Sequence, residues 1–214
     1  MAALDQPIVA GVVLAGGRSS RMGRPKASLE WNGTSLLAHV TATVGAVVDG
    51  PVVVVASPGQ ELPALPDGVR RVDDPQEGLG PIQGIATGLE AVRAHAPVAF
   101  VTATDMPLLH PAFVRRVVGL LGDADVAMPM VYGRRQTLAA AYRTAVAGVA
   151  RELVAELQLN PGRLLERCRV VWLDEPVLLA DPELGAADPH LDSVTSIDTP
   201  DDYAAALARA AAGA

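Results

Sequence analysis

The chain has 214 residues, half of them hydrophobic, and a formal net charge of -7. It is long enough to bury one sizeable core, and we expect a single domain over residues 1–214. The acidic balance argues against a nucleic-acid or anionic-membrane partner, and aromatic residues at 3% are too few for a platform that stacks bases.

The cysteine content and the N-terminal segment indicate the cellular compartment in which the protein is expected. The lone cysteine, Cys168, excludes an internal disulfide and a cysteine-rich zinc site. No histidine lies near it in sequence, so we interpret it as a packing residue. Residues 1–7 lack the pattern of a signal peptide, and the apolar run 8–14 is far too short to span a bilayer. These observations predict a soluble, cytoplasmic protein.

The first element along the chain is the apolar, β-branched run 9–14, which is typical of a buried strand and stops at Gly16 and Gly17. The following loop contains a third glycine and ends at Lys26. Four of the nine residues 18–26 are basic and none is acidic, although the whole chain is acidic. Glycine lets backbone N–H groups approach polyanionic oxygens closely. The loop therefore predicts a site for a phosphate-bearing ligand, although its spacing matches neither the dinucleotide fingerprint nor the P-loop.

Strand-like and helix-like segments alternate along the rest of the chain. Apolar runs typical of buried parallel strands lie at 52–55, 69–72, 98–101 and 126–128, with further strands predicted at 137–142 and 170–173. Apolar residues at helical spacing predict helices over 36–47, 85–92, 113–121, 145–159 and 200–212. Their predicted caps include Thr34 or Ser35, His110 and Thr199. Residues 174–192, rich in Pro, Asp and Gly, are interpreted as a loop or mobile flap.

This alternation predicts an α/β fold, a Rossmann-like open and mostly parallel sheet with helices on both faces. Ligands of such sheets bind at the carboxyl ends of the strands. The glycine loop, Asp74 and Asp105 all lie just past strand ends, so we expect them to share one crevice.

Asp105 follows the run 99–104 and precedes Met106 and Pro107. The proline keeps the chain extended there, which would hold the carboxylate at the strand tip. A hard oxygen ligand in that position suits Mg²⁺, which binds through one or two carboxylates plus substrate phosphates. An isolated aspartate before a helix is often a cap, but here we assign that role to His110.

Further charged and glycine residues fit a triphosphate ligand. The ammonium group of Lys26 would bind phosphate as a compact positive charge, and the planar guanidinium group of Arg21 would bind it through two parallel hydrogen bonds. Residues 78–84 form a second glycine-proline loop that opens a helix, whose N-terminus offers N–H donors to an anion. Asp74 precedes Pro75 and fits either a turn residue or a part of the nucleotide site.

Residues 14–26 together resemble the pattern L-A-G/A-G-x-S-x-R-M-G-x-x-K of nucleotidyltransferases that activate sugars, isoprenoid precursors and pterins. Gly16-Gly17 after Leu14-Ala15 looks like the molybdenum cofactor guanylyltransferase family, since the cytidylyltransferase relatives usually carry Leu-Ala-Ala-Gly. The resemblance implies a nucleotidyltransferase-type sheet and an Mg²⁺-dependent enzyme. It implies catalytic roles for Lys26, Arg21 and Asp105. The nucleotide-binding positions it implies are Leu14, Ala15, Gly16, Gly17, Lys26, Asp74, Gly80, Pro81 and Asp105.

The sequence departs from the family pattern in two places. The family commonly has Asn shortly after the second strand, where this chain has Ala56 and Ser57. The polar side chain that recognises the purine is therefore missing or is supplied by Ser57. The family's N-x-N-T-P reads here as residues 196–200, with Asp198 in place of the second Asn. Asp198 is either a second metal ligand or a plain helix cap.

The resemblance implies transfer of GMP from GTP to the terminal phosphate of the molybdenum cofactor, molybdopterin, with release of pyrophosphate. Gln136 and Tyr142 are candidates for the acceptor side. A cytidylyltransferase acting on molybdopterin or on a sugar or polyol phosphate is the alternative within the class. A regulator that binds nucleotide without turnover is the alternative outside it. Whether a molybdenum-loading protein hands over the cofactor directly is left open.

Overall fold

A computed structural model describes residues 7–16 and 22–212 of the chain. The strands are β1 Val9–Leu14, β2 Glu30–Trp31, β3 Thr34–Ser35, β4 Val52–Ala56, β5 Arg70–Asp73, β6 Val98–Ala103, β7 Val126–Val131, β8 Arg134–Arg135, β9 Ala139–Arg143 and β10 Val170–Leu173. The helices are α1 Leu36–Gly45, α2 Gly80–Val92, α3 Pro111–Gly119, α4 Val146–Ala155, α5 Pro161–Glu166, α6 Glu175–Leu179, α7 Pro182–Ala187 and α8 Pro200–Ala212. Short 3₁₀ turns form at Lys26–Ser28 and Asp192–Val194.

The main sheet has the strand order β10-β7-β9-β6-β1-β4-β5, and β8 pairs with β7. β1 is parallel to β4 and β6, and β4 is parallel to β5. β9 is antiparallel to both of its neighbours, β6 and β7. The predicted open and mostly parallel sheet is confirmed. The reversal of β9 follows from the short β7–β9 connection, because parallel strands need a crossover of a dozen or more residues.

Both faces of the sheet are covered by helices, as the sequence predicts. Successive strand residues point to opposite faces, so Val13 packs with one group of helices and Val12 with the other. The first group includes buried residues of α1 and α3, and the second includes buried residues of α2, α4 and α5. α2 lies especially close to β1, since a Cβ added at Gly88 would be 2.2 Å from Val12 Cγ1.

The predicted caps are present. Ser35 accepts a hydrogen bond from Ala38 N in the first turn of α1. His110 Nδ1 accepts from Ala112 N at the start of α3, and Thr199 Oγ1 accepts from Asp202 N at the start of α8. These bonds satisfy N–H groups that a helix cannot satisfy internally.

The interpretation of residues 174–192 as a loop or mobile flap is wrong. The segment contains α6 and α7, each begun by an aspartate cap and a proline in the first turn. Asp174 accepts from Val177 N at 3.0 Å, and Asp181 accepts from Leu184 N at 2.9 Å. The Asp and Pro residues that suggested a loop are also the signals that start helices. None of the described helices is long and apolar enough to cross a membrane.

Candidate nucleotide and metal site

A cavity of about 380 Å³ opens at the carboxyl ends of β1, β4 and β6, which is the edge where ligands bind in sheets of this kind. It is lined by every predicted nucleotide-binding residue within the described ranges: Leu14, Ala15, Gly16, Lys26, Asp74, Gly80, Pro81 and Asp105. Gly17 and Arg21 lie outside the described residues. The described part of the glycine loop therefore shares one crevice with Asp74 and Asp105, as expected.

The end of β1 is fixed on both sides by its neighbours in the sheet. Ala15 N donates to Val55 O at 2.8 Å, and Thr104 donates to Leu14 O through both its N–H and its hydroxyl group, at 3.0 and 3.1 Å. Ser57 also lines the cavity, at the place where the family resemblance leads us to expect an asparagine. Its hydroxyl lies 3.4 Å from the position that a Cβ would occupy at Gly16.

Asp74 lines the cavity beside α2, which begins at Gly80 within the predicted second glycine-proline loop. Its N–H donates to Ala56 O at 2.8 Å, which joins it to the end of β4. Its Oδ1 atom is buried and accepts no hydrogen bond from the part of the chain that the structure describes. Burial raises the pKa of Asp74, a hydrogen bond with Thr87 opposes that rise, and the charge of Asp73 adds to it. A buried acceptor without a partner at a cavity is suited to a ligand that brings a donor.

The N-terminus of α2 borders the same cavity. Gly78 and Gly80 have φ angles of 89° and 72°, which non-glycine residues adopt only with strain. The residue before the helix, Leu79, makes no side-chain cap. The first N–H groups of α2 therefore lack the side-chain acceptor that caps α1 or α3, and a ligand oxygen could fill that role.

Lys26 lines the cavity and lies between two carboxylates. Its Nζ atom is 2.9 Å from Asp105 Oδ2 and 2.7 Å from Asp198 Oδ1. Burial lowers the pKa of Lys26, but the hydrogen bonds and charges of Asp198 and Asp105 outweigh it, so the pKa is raised above its ordinary value. Ile197 N donates to Asp105 O at 2.9 Å, and this backbone bond brings Asp198 to the site.

The pair of carboxylates fits a hard divalent cation. Within residues 7–16 and 22–212 no group of three or more His, Cys, Asp or Glu side chains could hold a metal ion. Two carboxylates nevertheless suffice for an ion that completes its shell with substrate phosphates. The ammonium group of Lys26 demonstrates that Asp105 and Asp198 can accept one cation between them. Asp198 is turned toward Lys26, while the cap of α8 is provided by Thr199.

Sequence reasoning missed two residues that hold the site's loops. His39 Nε2 donates to Pro107 O at 2.8 Å and so anchors the chain just after Asp105. Burial lowers the pKa of His39, and the bond to the Pro107 carbonyl opposes that effect. Gln60 bonds to Ala15 and to Ser57. No local pattern in the sequence marks the bond from His39 to Pro107 or the bond from Gln60 to Ala15, since each joins residues that are far apart in the sequence.

Three further expectations concern the acceptor side and the cysteine. Tyr142 is fully buried and its hydroxyl donates to Thr137 O at 2.8 Å, so the expectation that it contacts an acceptor is wrong. Gln136 donates to Val131 O at 3.3 Å and so supports the hairpin between β7 and β9. Cys168 is partly buried, and burial raises the pKa of its thiol to about 11, which agrees with a packing role.

The site combines a cavity at the parallel edge of the sheet, a glycine-rich backbone and a lysine beside two carboxylates. None of the cavity-lining residues in the described ranges is a cysteine or a histidine, and the lysine and carboxylates are groups that bind phosphates and metal ions. Together these features define a protein of the nucleotidyltransferase class.

Comparison with known proteins agrees with this class. The sequence profile of the MobA-like NTP transferase domain matches residues 11–172. A Mycobacterium tuberculosis H37Rv protein named "Probable molybdenum cofactor guanylyltransferase" is 45% identical over 180 residues, which cover 79% of this chain and 87% of the relative. The chain belongs to the MobA-like NTP transferase family and is a nucleotidyltransferase.

Solved structures share the fold at lower sequence identity. Molybdopterin-guanine dinucleotide biosynthesis protein A from Archaeoglobus fulgidus is similar with a TM-score of 0.75 and 23% identity, covering 95% of this chain and 99% of that one. A 2-C-methyl-D-erythritol 4-phosphate cytidylyltransferase from Thermus thermophilus is similar with a TM-score of 0.67 and 21% identity, covering 96% and 100%. One sheet architecture therefore occurs in proteins named for different nucleotides and acceptors.

Proposed function

We propose that this protein transfers GMP from GTP to the terminal phosphate of molybdopterin, the molybdenum cofactor, and releases pyrophosphate. The name of the 45% identical relative supports the nucleotide and the acceptor. The observation that carries the proposal within the structure is the cavity that brings the glycine loop, Asp74 and the pair Lys26 and Asp105 together at one edge.

In this reaction a phosphate oxygen of the acceptor attacks the α-phosphorus of GTP in line, and pyrophosphate leaves from the opposite side. The protein forms no covalent bond with either substrate in this reaction, so its residues act by positioning the substrates and by neutralising their charge. Lys26 would bind the triphosphate, and the backbone at Gly16 would approach it closely. Asp105 and Asp198 would hold a divalent cation, which we propose to be Mg²⁺ and which would reduce the charge repulsion between the two reacting phosphates.

We further propose that Asp74 recognises the base. Guanine carries two adjacent donors, N1–H and the 2-amino group, and a carboxylate can accept from both. Asp74 lines the cavity and its Oδ1 is a buried acceptor without a partner among the described residues. Cytosine offers one amino group and acceptors on that edge, so a carboxylate favours guanine. The loss of the family's asparagine at Ala56 would then not remove guanine preference.

Thermal denaturation with each nucleoside triphosphate and Mg²⁺ tests the nucleotide. At a ligand concentration one hundred times its dissociation constant, binding adds about 2.7 kcal/mol to the free energy of unfolding. For a chain of this size that is a melting shift of roughly 5–10 °C. We expect GTP to give this shift at a lower concentration than CTP, ATP or UTP. If CTP saturates the shift first, the cytidylyltransferase alternative replaces the guanylyl assignment.

Pyrophosphate release tests whether the protein is an enzyme for this acceptor. Purified protein with GTP and Mg²⁺ should release pyrophosphate when molybdopterin is added, and much less with a sugar or polyol phosphate. Asp105→Asn provides the matched inactive control. A protein that binds GTP but releases no pyrophosphate with any of these acceptors would be a nucleotide-binding regulator.

A further inference from the structure

A tight turn after β4 lies against Ala15 and Gly16 at the end of β1. Gln60 N donates to Ser57 O at 3.1 Å and closes the turn, and Gly59 within it has a φ of 71°. Arg71 holds the turn from the next strand, because its Nη1 atom donates to Gln60 O at 2.6 Å and its Nε atom to Asp73 Oδ1 at 2.7 Å. The turn is therefore tied to β5 as well as to β4.

The side chain of Gln60 joins this turn to the glycine loop. Its Oε1 accepts from Ser57 N at 3.0 Å, and its Nε2 donates to Ala15 O at 2.8 Å. A backbone N–H can only donate and a carbonyl can only accept, so one orientation of the amide satisfies both bonds. Gln60 does not line the nucleotide cavity, whereas Ala15 and Gly16 do.

The bond to Ala15 O fixes the orientation of a whole peptide group. In a trans peptide the C=O of one residue and the N–H of the next point in opposite directions, and the described chain contains no cis peptide bond. With the Ala15 carbonyl held toward Gln60, the Gly16 N–H points away from Gln60. A rotated peptide would instead aim a carbonyl oxygen at the ligand, where it would repel phosphate and sugar oxygens.

We propose that Gln60 is a positioning residue that holds the Ala15–Gly16 peptide so that its N–H is presented to the nucleotide. This inference rests on the proposed function, since it requires that GTP bind in the cavity beside Gly16. Gln60 lies outside the lining of this cavity. It acts through the backbone of Ala15 and Gly16, which line the cavity.

Two variants of nearly the same size test the bond to Ala15, and Gln60→Glu isolates it. Gln60→Glu keeps an acceptor for Ser57 N but cannot donate to the Ala15 carbonyl when ionised. Gln60→Met removes both hydrogen bonds without introducing a charge, so it serves if the glutamate variant does not fold. Glu61→Gln, at an exposed neighbouring position, is the matched control. Loss of one hydrogen bond of this kind should raise the dissociation constant for GTP about tenfold, measured by calorimetry with Mg²⁺.

The amide resonance of Gly16 gives a readout that a merely structural role would not move. With ¹⁵N-labelled glycine, the Gly16 signal, assigned through Gly16→Ala, should shift on GTP addition in the wild-type protein and much less in Gln60→Glu or Gln60→Met. Both variants should retain the signals of glycines far from the turn. Equal GTP affinity and an equal Gly16 shift in wild type and either folded variant would overturn the inference. A wild-type protein that binds no GTP would instead refute the proposed function.

Discussion

Replacing Asp74 by Asn should increase stability and weaken GTP binding at the same time. The Asp74 carboxylate is partly buried, and its Oδ1 has no hydrogen-bond partner among the described residues. Burial of the ionised carboxylate, which raises the pKa of Asp74, costs about 1 kcal/mol at a partly buried site, and a neutral amide does not carry that cost. Asparagine removes the charge and keeps an acceptor for Thr87. We therefore expect the free energy of unfolding to rise by about 1 kcal/mol and the melting temperature by about 2–4 °C at neutral pH.

The stability difference should depend on pH in a defined direction. Burial raises the pKa of Asp74 above its ordinary value of 3.8, so the folded protein keeps this proton to a higher pH than the unfolded chain does. Between the two pKa values the folded state binds more protons, and the stability of the wild type falls as pH rises. The advantage of Asp74→Asn should thus be full above the raised pKa and disappear as pH falls toward 3.8.

Ligand binding supplies the second half of the test. If Asp74 accepts from guanine, Asp74→Asn should weaken GTP binding by about tenfold to a hundredfold, the scale of hydrogen bonds to a charged group. Inosine triphosphate lacks the 2-amino group, so the wild type should prefer GTP over it and the variant should prefer it much less. Calorimetry measures both affinities, with Asp67→Asn at an exposed turn as the control. A variant that is less stable, or that discriminates as well as the wild type, would refute this reasoning.

Three further changes test the metal side and the fold. Asp105→Asn should keep the fold and reduce turnover about a hundredfold or more, and normal turnover at limiting Mg²⁺ would remove Asp105 from the metal site. Lys26→Met should weaken binding of GTP far more than of guanosine, and should tighten Mn²⁺ binding to the nucleotide-free protein, because two adjacent carboxylates lose their cation. If titration followed by electron paramagnetic resonance shows the same Mn²⁺ affinity in Lys26→Met and the wild type, the prediction for Mn²⁺ is refuted. Gly88→Ala should destabilise by about 1–3 kcal/mol in urea denaturation, and Val12→Ala in the same chain should recover part of the loss.

The parts of the site that could be predicted from the sequence are those that follow from local pattern. A buried strand that is followed by a glycine pair, and a second buried strand that is followed by Asp105, leave these residues at one edge of a parallel sheet. The position of that edge is a general property of the fold. Pattern therefore sufficed to bring the glycine loop, Asp74 and Asp105 to a common cavity.

The parts that could not be predicted depend on contacts between distant loops or on ambiguous residue types. Asp198 reaches Lys26 across 172 positions because residue 197 bonds to the backbone of Asp105. Nothing local to Asp198 distinguishes that role from a cap. The prediction of a loop over residues 174–192 fails because Asp and Pro begin helices as readily as they form turns. The prediction for Tyr142 fails because helices cover both faces of the sheet, so the position of Tyr142 within β9 places its ring in the core.

The reversed strand β9 has a consequence for how such a fold can diversify. Because β9 runs against its neighbours, its first residue rather than its last lies at the ligand edge, and Leu138 just before it lines the cavity. The hairpin 132–138 thus begins beside the cavity, while the strands that precede Gly16 and Asp105 pair with each other. Insertions or substitutions in that hairpin can change the surface beside the cavity without changing the pairing among β1, β4 and β6. The surface beside the cavity can in this way change while the sheet edge that forms the proposed nucleotide site stays the same.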